Sequence, residues 1–290
     1  MTQRSGQVAV VLGASGGLGF GLARRFAADG AALVIADIES AELARAEKEL
    51  IEGGAEVLAV QVDVVKPEQV DALARAAIDR FGRVDMVCNT VGVAIQGTSW
   101  ELPLEDWRWM FDVNVWGVVH VIRSFTPILI EQGEGHIVHT ASTVALTTRP
   151  DNPAYIATKH TVLSICESLQ QDLRAAGSGV KVSVLIPGLI RSRMYEATRN
   201  RQPEYGESQI SEEQRTEMRD YFEQFGADPD VLAGIIVEQL DQGRFYVFGR
   251  DGDLALAETR VEGMQTGFLP DPTFVASPGP GARAEAVEPG

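Results

Sequence analysis

The chain has 290 residues, 45% of them apolar, with a formal net charge of −16 and a pI near 4.7. That length fits one large α/β domain or two small ones around a sizeable core. A surface this acidic repels phosphate backbones and anionic lipid, which argues against nucleic acid or a membrane as partner.

Two cysteines, Cys88 and Cys166, lie in apolar runs outside any CxxC or CxxH pair. They read as buried thiols of a reducing compartment, and no metal is expected. Met1 to Gly6 is short and polar, without signal-peptide character, and no apolar run is expected to reach membrane-spanning length. The expected location is cytoplasmic.

Short β-branched runs alternate with stretches of helical period. Strands are predicted over Gln7–Leu12, Ala32–Ala36, Glu56–Val62, Val84–Cys88, His136–Thr140, Val180–Ile186 and Arg244–Phe248. Helices are predicted over Gly17–Asp29, Ser40–Glu52, Pro67–Arg80, Leu104–Ile130, Ala154–Ala176 and Asp228–Leu240. Ser40 reads as an N-cap, Gly53-Gly54 as a stop, and Pro67 as a first helical residue whose missing N–H costs nothing. This alternation implies an α/β fold, a doubly wound parallel sheet of the Rossmann type covered on both faces. Residues 191–226 are polar and too long for a plain connection, so they read as a helical lid, with a helix start at Ser211. One domain is expected over 1–263, followed by a Pro/Gly/Ala-rich disordered tail over 264–290.

The first strand runs into Leu12-Gly13-Ala14-Ser15-Gly16-Gly17-Leu18-Gly19. Between a strand and a helix, such a turn lets the backbone approach a pyrophosphate at a helix N-terminus. Asp37 follows 18 residues after Gly19, with Ile38, Glu39 and Ser40 next and no Arg or Lys adjacent. A carboxylate there accepts from ribose hydroxyls and repels a 2′-phosphate, which selects NAD; the alternative is a cap for the helix near Ser40. Asp63-Val64 follow the third strand, where Asp63 is either an adenine partner or a loop residue.

Tyr155 and Lys159 are four apart on one helix and share a face. An ammonium about 5 Å from a phenol, at an effective dielectric near 20, contributes on the order of 3 kcal/mol toward phenolate. The phenol then suits acid/base work on an alcohol. An ordinary surface pair is the alternative. Ser142 follows the fifth strand at the sheet edge where such folds bind ligands, and Asn114 is a poor helix former within a predicted helix.

Together these motifs resemble the short-chain dehydrogenase/reductase family over residues 5–250, in family order with Asn89-Thr90-Val91-Gly92 and Pro187-Gly188-Leu189-Ile190-Arg191-Ser192. The resemblance implies Tyr155 as acid/base, Ser142 as the holder of the substrate oxygen, and Lys159 on the nicotinamide ribose. It implies that Asn114 seats a water linked to Lys159, that Asn89 lines the cofactor, and that Ile190 and Ser192 meet the carboxamide. Leu12 stands where the family usually has Thr, which removes a hydroxyl tying the glycine turn to the Asn89 segment. A weaker resemblance is to bacterial Cα-dehydrogenases of lignin-derived β-aryl ethers.

The expected activity is hydride transfer between NAD and a small-molecule secondary alcohol or ketone that is apolar, with benzylic aromatic and alicyclic skeletons as the candidates. Val144, Leu146, Leu189, Met194 and Tyr195 are candidate pocket residues, with Trp100 nearby. The alternatives are a non-catalytic NAD sensor, an NADP-dependent ketone reductase, or a dehydratase or epimerase. A homodimer through the long helices is expected. A tetramer is less expected, because the family's usual C-terminal strand sequence is missing.

Overall fold

The computed structural model describes residues 4–208 and 210–269. Seven parallel strands form one sheet in the order β3-β2-β1-β4-β5-β6-β7. They are β1 (Val8–Leu12), β2 (Ala32–Asp37), β3 (Val57–Gln61), β4 (Met86–Asn89), β5 (Gly135–Thr140), β6 (Val180–Ile186) and β7 (Tyr246–Phe248). All five residues of β1 are buried, as expected of a strand covered on both faces. The chain leaves β3 at one edge and returns as β4 beside β1, pairing Asn89 with Leu12. The strand order therefore reverses between β1 and β4, which opens a crevice at their carboxyl ends.

One face is covered by α1 (Gly17–Ala28), α2 (Ser40–Glu52) and α8 (Pro229–Asp241), which bury Phe26, Leu50 and Ile236. The other is covered by α3 (Pro67–Phe81), α5 (Gly117–Gln132) and α6 (Pro153–Ala175), which bury Leu73, Phe125 and Val162. Cys88 and Cys166 are free and buried in these layers. The 191–226 segment comprises two 3-10 segments, Arg193–Asn200 and Pro203–Tyr205, and α7 (Glu212–Phe225). Ser211 starts α7 with a capping box through Gln214. The two ends of that segment are tied together, because Ala227 N donates to Leu189 O (2.9 Å) and Arg191 N to Ala227 O (3.0 Å).

Four expectations are corrected. The single helix over Leu104–Ile130 is α4 (Leu104–Phe111), a π-helical turn over Asp112–Trp116, then α5. The wider π turn is centred on Asn114, whose side chain bonds outside the helix. Residues Leu104–Gln132 are also long and apolar enough to cross a bilayer by length and composition, contrary to expectation. Here more than half of that stretch's most apolar part is buried, with α5 packed on β4 and β5. Ser40 is the first helical residue of α2 rather than its cap; Glu39 takes the cap position with no side-chain capping bond. Finally, α9 (Ala255–Thr266) runs through the point where the tail was expected to begin. The remainder of that tail, 270–290, lies outside the described residues.

Candidate active site

A cavity of about 1060 Å³ opens at the carboxyl edge of the sheet. Every residue singled out for coenzyme or catalysis lines it except Asn89 and Asn114, which lie buried behind its wall. The Asn89 side chain accepts from Val91 N at 3.1 Å and so shapes the loop after β4.

At one end lies the glycine turn. Gly13 has φ +80°, and a Cβ there would meet Thr90 Oγ1 at 2.6 Å; Gly19 faces the same hydroxyl at the same distance. Only glycine fits both positions. The Thr90 hydroxyl donates to Leu12 O at 2.8 Å. The tie that Leu12 was expected to remove is thus restored from the opposite strand. Gly16 caps α1 without a side-chain bond, which leaves first-turn N–H groups for an anion. Ser15 N donates to Asp37 Oδ2 and Glu39 N to Asp37 Oδ1, each at 3.1 Å, so the carboxylate is fixed beside the turn. This cradle fits a dinucleotide: close backbone approach, free helix N–H groups, and a placed ribose acceptor.

At the other end are Ser142, Tyr155 and Lys159. The buried Lys159 donates to Thr140 O at 2.8 Å, and its Nζ lies 5.5 Å from the Tyr155 ring centre. Burial lowers the Lys159 ammonium to about 8. Beside it, the buried His139 is pushed down to about 3 by burial and then by the charge of Lys159, so its ring stays neutral at working pH.

Burial raises the Tyr155 phenol above its ordinary value; a hydrogen bond with Ser142 and the charge of Arg149 oppose this without reversing it. The depression expected from Lys159 is therefore not supplied by this chain's own groups. Cationic nicotinamide would act in the required direction.

Asn114 positions rather than lines. Its Oδ1 accepts from Val93 N (2.8 Å), while its Nδ2 donates to Val93 O (2.9 Å) and Thr158 Oγ1 (3.0 Å). Thr158 in turn donates to Tyr155 O at 2.7 Å. The amide so links the loop after β4 to the helix turn carrying Tyr155.

Of the candidate pocket residues, Val144, Leu189, Met194 and Tyr195 line the cavity. Leu146 instead packs against the core and Trp100 is 82% exposed, so neither contributes. Sequence reasoning missed Arg149, Phe222 and Leu256, which do line it. It also missed the contacts that anchor the 191–226 segment. Arg201 is buried against Asp106 and lies 5.3 Å over the Trp109 ring. Gln202 donates to Asp63 Oδ2 at 2.7 Å, while Asp63 Oδ1 accepts from Val65 N. Asp63 lines the cavity, but both of its oxygens already serve the fold.

A parallel sheet with a glycine-turn crevice and a Ser–Tyr–Lys end defines a dinucleotide-dependent oxidoreductase. Comparison with known proteins agrees. The short chain dehydrogenase family model matches residues 7–203. The 1-deoxy-11-beta-hydroxypentalenate dehydrogenase of Streptomyces exfoliatus is 36% identical over 285 residues, covering 97% of each chain. A short-chain dehydrogenase/reductase from Burkholderia phymatum, solved in complex with NAD, superposes with a TM-score of 0.88 at 36% identity, covering 93% of this chain and 98% of that one. The apo form of LigO from Sphingobium sp. strain SYK-6 gives a TM-score of 0.76 at 28% identity, covering 92% and 90%. The chain belongs to the short-chain dehydrogenase/reductase family and is an oxidoreductase acting on CH–OH groups.

Proposed function

We propose that this enzyme moves a hydride between NAD and a secondary alcohol or its ketone, with Tyr155 as the acid/base. The observation that carries the reading is one cavity with Ser142, Tyr155 and Lys159 at one end and the glycine turn with Asp37 at the other. In oxidation, the hydroxyl proton passes to Tyr155 while Ser142 holds the oxygen. Lys159, held by the Thr140 carbonyl, keeps a positive charge beside the phenol. The bound nicotinamide supplies the hydride acceptor.

Val144, Leu189, Tyr195, Phe222 and Leu256 make the substrate end largely apolar, which favours an alicyclic or aromatic skeleton. Arg149 lines the same cavity and makes no hydrogen bond or ion pair among the described residues. A relative is named for a hydroxypentalenate, so hydroxy acids belong among the substrates to test. The fixed Asp37 supports NAD over NADP, and the likeness to an NAD complex favours the same choice. Exposed Leu104 and Trp116 on the long helices support a homodimer, which light scattering checks.

The test is a panel of alicyclic, benzylic and acid-bearing secondary alcohols, read by NADH absorbance with wild type and Tyr155→Phe. Turnover should fall by orders of magnitude in the variant while NAD still binds; surviving turnover would refute the tyrosine mechanism. Equal kcat/KM with NAD and NADP would remove the role given to Asp37.

A further inference from the structure

The tertiary fold places arginines where the sequence shows none. Arg45, Arg193 and Arg199 line the cavity around Asp37, reaching it from α2 and from the lid. Each is occupied. Arg199 grips Glu39 through both carboxylate oxygens, with Nε at 3.1 Å from each. Arg193 reaches Glu39 at 3.4 Å and Glu196 at 3.1 Å. Arg45 bonds Glu42 at 2.9 Å and the Ser15 carbonyl at 3.0 Å.

Glu39 is the hub of this cluster. Its side chain is only 16% exposed and sits two residues beyond Asp37. Burial raises its carboxyl, but hydrogen bonds from Arg199 and Asn200 and the charges of Arg199 and Arg193 outweigh that and hold it below its ordinary value. It therefore stays ionised at working pH. The three guanidinium groups on this wall are met by the carboxylates of Glu39, Glu42, Glu49 and Glu196, so none is left unpaired. A 2′-phosphate carries nearly two negative charges. Arriving beside Asp37, it would find guanidinium donors already engaged, Arg199 by Glu39 and Arg193 by Glu39 and Glu196.

Resting on the coenzyme reading above, we propose that Glu39 masks a latent site for a ribose 2′-phosphate built from Arg193 and Arg199. Asp37 supplies repulsion, and Glu39 withholds the cations that would offset it. Coenzyme choice is thus shared with the lid, which carries both arginines.

Isothermal titration with ADP and with adenosine 2′,5′-bisphosphate separates these roles without needing a substrate. Glu39→Gln should tighten the bisphosphate by about tenfold or more, the scale of one charge-assisted bond, while ADP affinity changes by about threefold or less. Adding Arg199→Gln should abolish that gain. The kcat/KM ratio of NADP to NAD should rise in step. If ADP binds Glu39→Gln and the bisphosphate is no tighter than in wild type, the masked site does not exist. The same conclusion follows if the gain survives loss of Arg199. If ADP and NAD bind none of the forms, the nucleotide-site reading falls, and this proposal with it.

Discussion

Lys159→Met tests how the active site is held. Burial lowers this ammonium from 10.5 to about 8. At about 1.4 kcal/mol per pKa unit, folding with the charge buried costs about 3 kcal/mol at pH 7, where both states are protonated. Above pH 8 the folded protein releases the proton and the unfolded chain keeps it until about 10.5, so wild-type stability rises through that window. Methionine carries no charge and lacks this slope. It also loses the 2.8 Å bond to Thr140 O, a pH-independent loss of about 1–3 kcal/mol.

At pH 7 the variant should therefore match wild type or exceed it by up to about 2 kcal/mol. By pH 10 wild type should have gained about 3 kcal/mol on it. Urea unfolding of both proteins at pH 7, 9 and 10 measures the difference, and groups common to both cancel. Parallel pH dependences would show that the ammonium is not held in a desolvated site. Turnover should be lost at every pH, since the charge beside Tyr155 is gone.

Two further substitutions probe the frame around the site. Thr90→Val removes the hydroxyl bonded to Leu12 O, so a loss of about 1–2 kcal/mol in stability and weaker NAD binding are expected, with Thr90→Ser largely spared; a valine variant as stable and as tight as wild type would contradict that role. Arg201→Met strands the buried Asp106 carboxylate and should cost about 3–5 kcal/mol in thermal or urea unfolding, whereas Arg201→Met with Asp106→Leu should recover most of it. Equal losses in the single and double variants would mean that the pair itself contributes little.

Much of this was legible from residue order because its causes are local. The apolar period fixes the alternating elements, and β1 followed by a glycine turn places the crevice at β1 and β4. Four-residue spacing puts Tyr155 and Lys159 on one helix face, and the chemistry of each group follows from its type. What stayed hidden depends on contacts across long separations. Thr90 replaces a missing hydroxyl because β4 lies beside β1, 78 residues away in sequence. Asn114 breaks a predicted helix because its amide finds the Val93 backbone, and a π turn is the local adjustment that lets it do so.

The sign of the Tyr155 shift also came from the fold, since burial is a property of the packed site and a pairwise charge calculation omits it. The wall around Asp37 shows the same division. By itself the sequence put a carboxylate at the end of the second strand, with no cation beside it. Only the folded 191–226 segment, crossing some 160 residues of chain, brought Arg193 and Arg199 to that edge and paired them with Glu39. Local order determines which groups a strand end carries; tertiary packing decides which charges they face.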